Sequence, residues 1–244
     1  MKIRFIIIHA KKLINLEAFN MKDFKQNEGA SLESTDLYRS ASQGDAVAQR
    51  KLAEQHLATK DYQAAAVWLS RAAEQGDTQA MVYLADLYDL GRGVPQDQRR
   101  SFLLYRDAAA KGDVIGALYL GYCYQAGEGT EQNDAFAAEW FAHAATLGNA
   151  EAQRKLGDCY FHGIGVEQSY VEAASWYAEA AAQDDGEAQC NLAECYALGL
   201  CVERDMEQAI AWLSCSKGTE SGEYRLFREA LKKSGQNGNA NLRT

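Results

Sequence analysis

Six cysteines, four histidines and 34 acidic side chains are the groups in this 244-residue chain that could do chemistry. Cys123, Cys159 and Cys195 recur at 36-residue intervals. Such a ladder puts one thiol at each of three equivalent places, separated by roughly a helix-packing distance of 8–10 Å. A disulfide needs Cα atoms within about 7 Å, so the ladder predicts small buried hydrophobes rather than cross-links. Cys190 and Cys215 stand at the start of one helix and the end of its antiparallel partner, the one pairing that leaves a disulfide open. His9, His56, His143 and His162 form no His-x-x-x-His pair and sit at no ligand spacing from a cysteine, so no metal or other cofactor is expected. Three Gly-x-Gly elements, Gly91/Gly93, Gly127/Gly129 and Gly163/Gly165, lack the third glycine, the preceding strand and the Lys-Ser/Thr of a phosphate cradle. No Gly-x-Ser-x-Gly occurs. No catalytic residue is assigned, and the chain is read as a non-enzyme.

The elements that carry these groups repeat. Leu52, Leu84, Leu120, Leu156 and Leu192 align, the last three intervals being 36 residues and the first 32. Four residues earlier stand Ala48, Ala80, Gly116, Ala152 and Ala188; one later, Ala53, Ala85, Gly121, Gly157 and Ala193; four later, His56, Tyr88, Tyr124, Tyr160 and Tyr196. These positions share one helical face. A second segment carries Trp68, Leu104, Trp140, Trp176 and Trp212, and an alanine pair follows four residues later in the first four copies. Gly-x-Gly falls where the first helix must end and the chain reverse, which glycine does at positive φ. Gly76-Asp77, Gly112-Asp113 and Gly148-Asn149 end the second helix and cap the next first helix; the fourth copy has Asp184-Asp185 there. One helix pair cannot bury both faces, so such units stack in arrays.

The pattern Ala-x-x-x-Leu-[Gly/Ala]-x-x-x-Tyr-x-x-Gly-x-Gly-Val, then Trp-[Tyr/Phe]-x-x-Ala-Ala-x-x-Gly, resembles the Sel1-like repeat, a relative of the tetratricopeptide repeat. Residues 150–182 are its clearest copy: Ala152, Leu156, Gly157, Tyr160, Gly163, Gly165, Val166, Trp176, Tyr177, Ala180 and Ala181. The resemblance implies an all-α fold, an α-solenoid of about five stacked helix-turn-helix repeats forming a right-handed superhelix. The expected organisation is an N-terminal extension at 1–35 and a solenoid at 36–234. The solenoid divides into a half-repeat at 36–45, repeats at 46–77, 78–113, 114–149, 150–185 and 186–218, and a capping helix at 222–233. A disordered tail follows at 235–244. The family also has a secreted, cysteine-rich branch with disulfides between repeats and penicillin-related activity. The resemblance places those cysteines where this chain has Ala145 with Gln153 and Ala181 with Gln189.

The net charge of −9 disfavours nucleic acid and anionic membrane surfaces and suits a basic protein partner. Lys2 and Arg4 precede Phe5, Ile6, Ile7 and Ile8, but His9, Lys11 and Lys12 end the apolar run. That run is too short for a secretory core or a spanning helix, and a cytoplasmic location is expected. The acidic, repeat-like part begins after Met21, so residues 1–20 read as an upstream extension of little structural consequence.

At about 100° per residue, positions −5, −2, +2 and +5 from the leucine lie opposite the spine and are expected to face an open concave surface. They hold seven carboxylates, Glu54, Asp86, Asp89, Glu151, Asp158, Glu187 and Glu194, against Arg50 and Arg154. The third copy places Ile115, Leu118 and Tyr122 there, with Val82 and Phe161 in the copies on either side. An apolar patch ringed by acids predicts a peptide site. The expected partner is another protein, bound through a basic or mixed basic–apolar segment; self-association stays open. The expected function is a non-catalytic scaffold or adaptor. The alternatives are a secreted or effector form of the same module acting in host interaction or envelope processes, and a hydrolase acting on β-lactams or peptidoglycan like the cysteine-rich branch.

Overall fold

A computed structural model describes residues 30–200 and 204–215. Expectations for residues 1–29, for Cys201, for the capping helix at 222–233 and for the tail at 235–244 lie outside the described residues, as does the side chain of Cys215. The described residues form eleven helices and no strand. They are α1 (Ala30–Ser42), α2 (Ala46–Ala58), α3 (Tyr62–Glu74), α4 (Thr78–Leu90), α5 (Gln98–Ala110), α6 (Val114–Ala126), α7 (Asp134–Thr146), α8 (Ala150–His162), α9 (Tyr170–Ala181), α10 (Gly186–Leu198) and α11 (Met206–Cys215). The chain divides between Gln132 and Asn133 into two compact units. In the first, α1 to α6 pack each on the next; in the second, α7 to α11 do the same. This is the packing of an all-α helical-repeat solenoid, each helix pair being one repeat.

Capping side chains set where the helices begin. Asp45, Asp77, Asp113, Asn149 and Asp185 open the first helices, each accepting a backbone N–H from the first turn. Asp61, Asp97, Asn133 and Ser169 do the same for α3, α5, α7 and α9, and Asp205 accepts from Glu207 and Gln208 ahead of α11. Each cap satisfies one of the donors a helix N-terminus leaves unpaired. The five reference leucines and the alanine pairs are buried. Small residues permit that closeness: a Cβ on Gly157 would lie 2.6 Å from the Tyr177 ring, and one on Gly116 2.8 Å from Ala108 Cβ.

The two glycines of each Gly-x-Gly do different work. The first, Gly91, Gly127, Gly163 or Gly199, is a left-handed C-cap with φ between 63 and 70°. The second sits against the start of the preceding repeat's second helix. A Cβ on Gly93 would lie 2.3 Å from the Tyr62 carbonyl carbon, and one on Gly165 2.0 Å from the Asp134 oxygen. The motif is therefore both a turn and a point where backbone meets backbone. Replacing Gly165 by Ala combines positive φ with a collision that backbone must absorb. The second unit should lose about 2–5 kcal/mol, read as a lower denaturation midpoint with helical content unchanged at low temperature.

Asp184 stands where the other junctions use glycine and adopts φ +62°. A β-carbon in that region costs about 1–2 kcal/mol, offset in part by the freedom glycine has in the unfolded chain. Asp184→Gly should therefore stabilise the protein by about 0.5–1 kcal/mol, seen as a higher thermal midpoint. A midpoint equal to or below that of the parent would contradict this account of the junction.

Candidate partner-binding face

The first-helix stripe divides into four rows with different exposure. The −2 row is packed: Val82 is 6% exposed, Leu118 1% and Arg154 8%. In the +2 row Tyr122 is buried, while Glu54, Asp86, Asp158 and Glu194 are half-buried. In the +5 row Asp89 and Phe161 are half-buried. The −5 row is the most open, with Val47 at 47%, Gln79 and Glu187 exposed and Ile115 half-buried. Val82, Leu118, Tyr122 and Arg154 thus do not stand on an open surface, contrary to expectation. The reason is geometric. A first helix packs against its own second helix and against the helices of a neighbouring copy, so its buried arc is wider than one leucine stripe. Angles counted from the leucine alone misplace position −2.

The polar members of the stripe are wired into the seams between copies. Arg50 donates to Asp77 (3.0 Å), the cap of the next first helix, and to Glu54 (2.7 Å). Arg154 repeats this on Asp185 (3.1 Å) and also pairs with Glu187 (2.9 Å). Asp86 accepts the Tyr105 hydroxyl at 2.5 Å, and Asp158 the Tyr177 hydroxyl at 2.9 Å. Asn191, from the next copy, donates to the same Asp158 oxygen at 3.1 Å. In the first unit Tyr119 stacks on Tyr105 with centroids 5.1 Å apart, and Tyr122 lies 6.1 Å from Tyr119. The sequence carries an unread signal for the Asp–Tyr bond. Asp occupies +2 only in the two copies with Tyr in the second helix; the copies with Leu there have Glu.

The seams hold a second polar device. Buried Gln49, Gln153 and Gln189 each donate from Nε2 to a carbonyl of the preceding helix: Ala41 (3.0 Å), Ala145 (3.3 Å) and Ala181 (3.2 Å). Two of these are the positions where the cysteine-rich branch is expected to place disulfides. Gln75 and Gln183 then donate from Nε2 to the side-chain Oε1 of Gln49 and Gln153, at 2.8 and 2.7 Å. A buried amide must find such partners, and here they join one helix pair to the next.

The four described thiols are core groups. Cys123, Cys159, Cys190 and Cys195 are buried. Burial, then Asp89, pushes the Cys123 thiol up; burial, then Asp158, pushes Cys159 from 9.0 to about 12. A thiolate is the reactive form, so neither thiol is poised to attack a substrate. His56 lies 3.4 Å from Asp61 and is half-buried, a packing position. Among the described residues no group of three or more His, Cys, Asp or Glu could hold a metal ion, and no helix is long and apolar enough to cross a membrane.

Two measurements follow from these contacts. Tyr177→Phe leaves the ring in place and removes one hydrogen bond to a carboxylate, and should cost about 1–2 kcal/mol in a denaturant titration. The folded pKa of Cys159 lies above its unfolded value, so its contribution is full below pH 9.0 and fades as pH rises toward 12. Stability should fall over that window, and less steeply in Cys159→Ala. An identical slope in the variant would remove Cys159 as a cause.

The Sel1 repeat family model matches residues 46–77, 78–113, 114–149, 150–185 and 186–216. Among solved structures, a protective antigen of uropathogenic Escherichia coli with an SLR fold is 34% identical, with a TM-score of 0.78. That match covers 82% of this chain, which spans only 44% of the antigen's chain. A Sel1 repeat protein from Oxalobacter formigenes shares the fold at 24% identity and a TM-score of 0.69, over 79% of this chain and 85% of that one. A search of curated proteins finds no match. Five successive matches to one repeat, on helix pairs that cap, turn and pack alike, make this chain a member of the Sel1 repeat family.

Proposed function

We propose that this chain is a non-catalytic scaffold that holds a basic or mixed basic–apolar segment of another protein on its first-helix face. Sel1 repeat proteins are generally scaffolds for protein interaction, and the proposal adds the chemistry of the segment. The observation that carries it is a set of half-buried carboxylates on internal struts. Asp86 is fixed by Tyr105, Glu54 by Arg50, and Asp158 by Tyr177 and Asn191. An ionised carboxylate accepts about four hydrogen bonds, so one already held by a neighbour can also meet a lysine, an arginine or a peptide N–H. Acceptors already held in place lose little entropy on binding. In the first unit Glu54, Asp86 and Asp89 lie along the face with Val47 and Ile115; in the second, Asp158 and Glu194 lie with Phe161. Leu118, Tyr122, Val82 and Arg154 act from beneath, as packing that sets the rows above them. The raised thiol pKa values and the absence of a nucleophile–base set in the sequence favour binding over hydrolysis. We place the scaffold in the cytoplasm.

Asp86→Asn keeps the shape of the side chain and an acceptor for Tyr105 while removing the charge. Capture of partners by immobilised protein, read by mass spectrometry, should lose its basic ligands several-fold in Asp86→Asn/Glu54→Gln, with circular dichroism unchanged. Loss should be greatest at low salt, since exposed charges are screened within about 10 Å at 0.1 M. Capture equal to that of the parent would remove these carboxylates from the site.

One observation favours a second reading, in which the same scaffold acts outside the cytoplasm: the E. coli relative is a protective antigen. Recovery of the intact chain from culture supernatant, without cell lysis, would support it.

A further inference from the structure

We propose that the α4–α5 turn and the outward stripe of α5 form a second docking surface, opposite in sign to the first-helix face, that takes an acidic segment of a partner protein. The chain carries a net −9, yet residues 92–106 hold Arg92, Arg99, Arg100 and Arg106 against one acid, Asp97. The repeat does not require this. At the places of Arg92, Arg99 and Arg106 the third copy has Glu128, Ala135 and Ala142, and the fourth has Ile164, Val171 and Ala178. Those copies turn on a left-handed glycine and cap their second helices as the second copy does. Packing of the unit therefore leaves the arginines of the second copy without a structural necessity.

The contacts of these guanidinium groups give the surface its character. Arg92 lies 5.3 Å from the Tyr62 ring and donates to the Tyr62 hydroxyl at 3.4 Å. Arg99 lies 5.4 Å from the Phe102 ring and donates to the Gly129 carbonyl at 2.9 Å. Both are held by neutral groups, so the contacts that fix them do not balance their charge. Each of these bonds uses one of the five donors a guanidinium carries. Arg100 is shared between Asp97 (3.3 Å) and the Tyr88 hydroxyl (3.1 Å). Arg106 meets only its exposed neighbour Asp107, at 2.8 Å, and an exposed pair of that kind is weak. The stacked rings limit how far Arg92 and Arg99 can move, which lowers the entropy lost when an anion binds.

The layout states what the ligand must look like. Arg99, Leu103 and Arg106 follow at i, i+4 and i+7 and share one face of α5. Arg99 and Arg106 are exposed and Leu103 is half-buried between them. Seven residues of helix place the two arginines on the order of 10 Å apart. A segment with carboxylates at that spacing and an apolar residue between them complements the stripe, its acids on the forks of Arg99 and Arg106. Arg92 continues the surface toward α3. A long polyanion such as nucleic acid would also meet the repulsion of the whole chain, whereas a short acidic segment meets this surface alone. The proposal goes beyond the reading of the first-helix face and does not depend on it. Where both hold, one chain brings a basic and an acidic segment together.

The full-length protein supplies the test. The probe is a labelled, helix-forming synthetic peptide with glutamates one heptad apart and a leucine between them, beside a twin with glutamine for each glutamate. At low salt the parent should bind the glutamate peptide about tenfold more tightly than the twin, and the preference should shrink as salt rises. Arg99→Ala/Arg106→Ala brings in the residues the third copy has at these places, so circular dichroism should be unchanged while the preference is lost. Arg99→Gln, a single and milder change, should weaken it several-fold. Equal affinity of the parent for the two peptides overturns the proposal, as does a preference that survives in Arg99→Ala/Arg106→Ala. Self-association of the parent that this variant lacks, with no glutamate preference, would give the surface to a second copy and overturn the acidic partner. Asp86→Asn/Glu54→Gln should keep the glutamate preference, so loss of basic ligands in that variant and loss of the acidic peptide in the arginine variant report on the two faces separately.

Discussion

In a repeat array each copy touches only its neighbours, so the seam between one copy and the next carries the whole structure. Here the seam is not a dry interface of leucine and alanine. The leucines and alanine pairs bring the helices close, and polar groups then fix their registration. Gln153 Nε2 on the Ala145 carbonyl, Arg154 on the Asp185 cap and Asn191 on Asp158 each join one copy to its neighbour, or one helix to the next across a junction. Hydrophobic burial is nearly indifferent to a small slide of one helix along another. A glutamine amide on one carbonyl, or an arginine on one cap, is not. The second glycine of each Gly-x-Gly adds a steric stop, since Gly165 lies so close to Asp134 that a β-carbon would not fit. Apolar packing supplies attraction, and these polar and steric contacts supply position.

That division decides what was legible in the sequence. The period, the helix pairs, the caps at Asp77, Asp113 and Asn149 and the glycine turns follow from local rules, because one residue at one backbone conformation is enough to write them. Asp184 follows too, as the residue standing in for glycine. The stripe did not, because exposure is a property of neighbours. Leu118 and Arg154 occupy one row and are both buried, one by apolar contact and the other by Asp185 and Glu187. Nothing in the type of either residue says that its row is a seam. The Asp–Tyr strut was within reach, since Asp86 goes with Tyr105 and Asp158 with Tyr177 while Glu54 goes with Leu69. Variation among copies of one chain is a small comparison of sequences in itself, and it locates contacts that periodicity misses.

The same seam limits where function can reside. A row packed into the seam is closed to a partner whatever its residues, so the recognition proposed for this face would fall to the rows the seam leaves open. In the first unit these are the −5 row, where Val47, Gln79 and Ile115 differ in kind, and the outward side of the +2 row. The −2 row serves recognition only by fixing what lies above it. Small changes beneath the face should therefore move binding without touching a ligand, which is why a buried substitution such as Leu118→Ala could not distinguish a binding role from a packing one.

The +2 carboxylates sit on the boundary between the two duties, and the boundary has a physical cost. Asp86 is held by a tyrosine that is itself fully buried and whose phenol is pushed up, first by burial and then by Asp86. The hydroxyl must stay protonated to donate, and burial ensures that it does. The carboxylate is half-buried, so one side of it still faces water. Burying Asp86 fully would strengthen the strut and end recognition; exposing it fully would leave a mobile charge with little power to orient a ligand. A half-buried carboxylate on a buried phenol meets both demands. In the first unit the same helix face also carries Val47, largely exposed, and Ile115, half-buried.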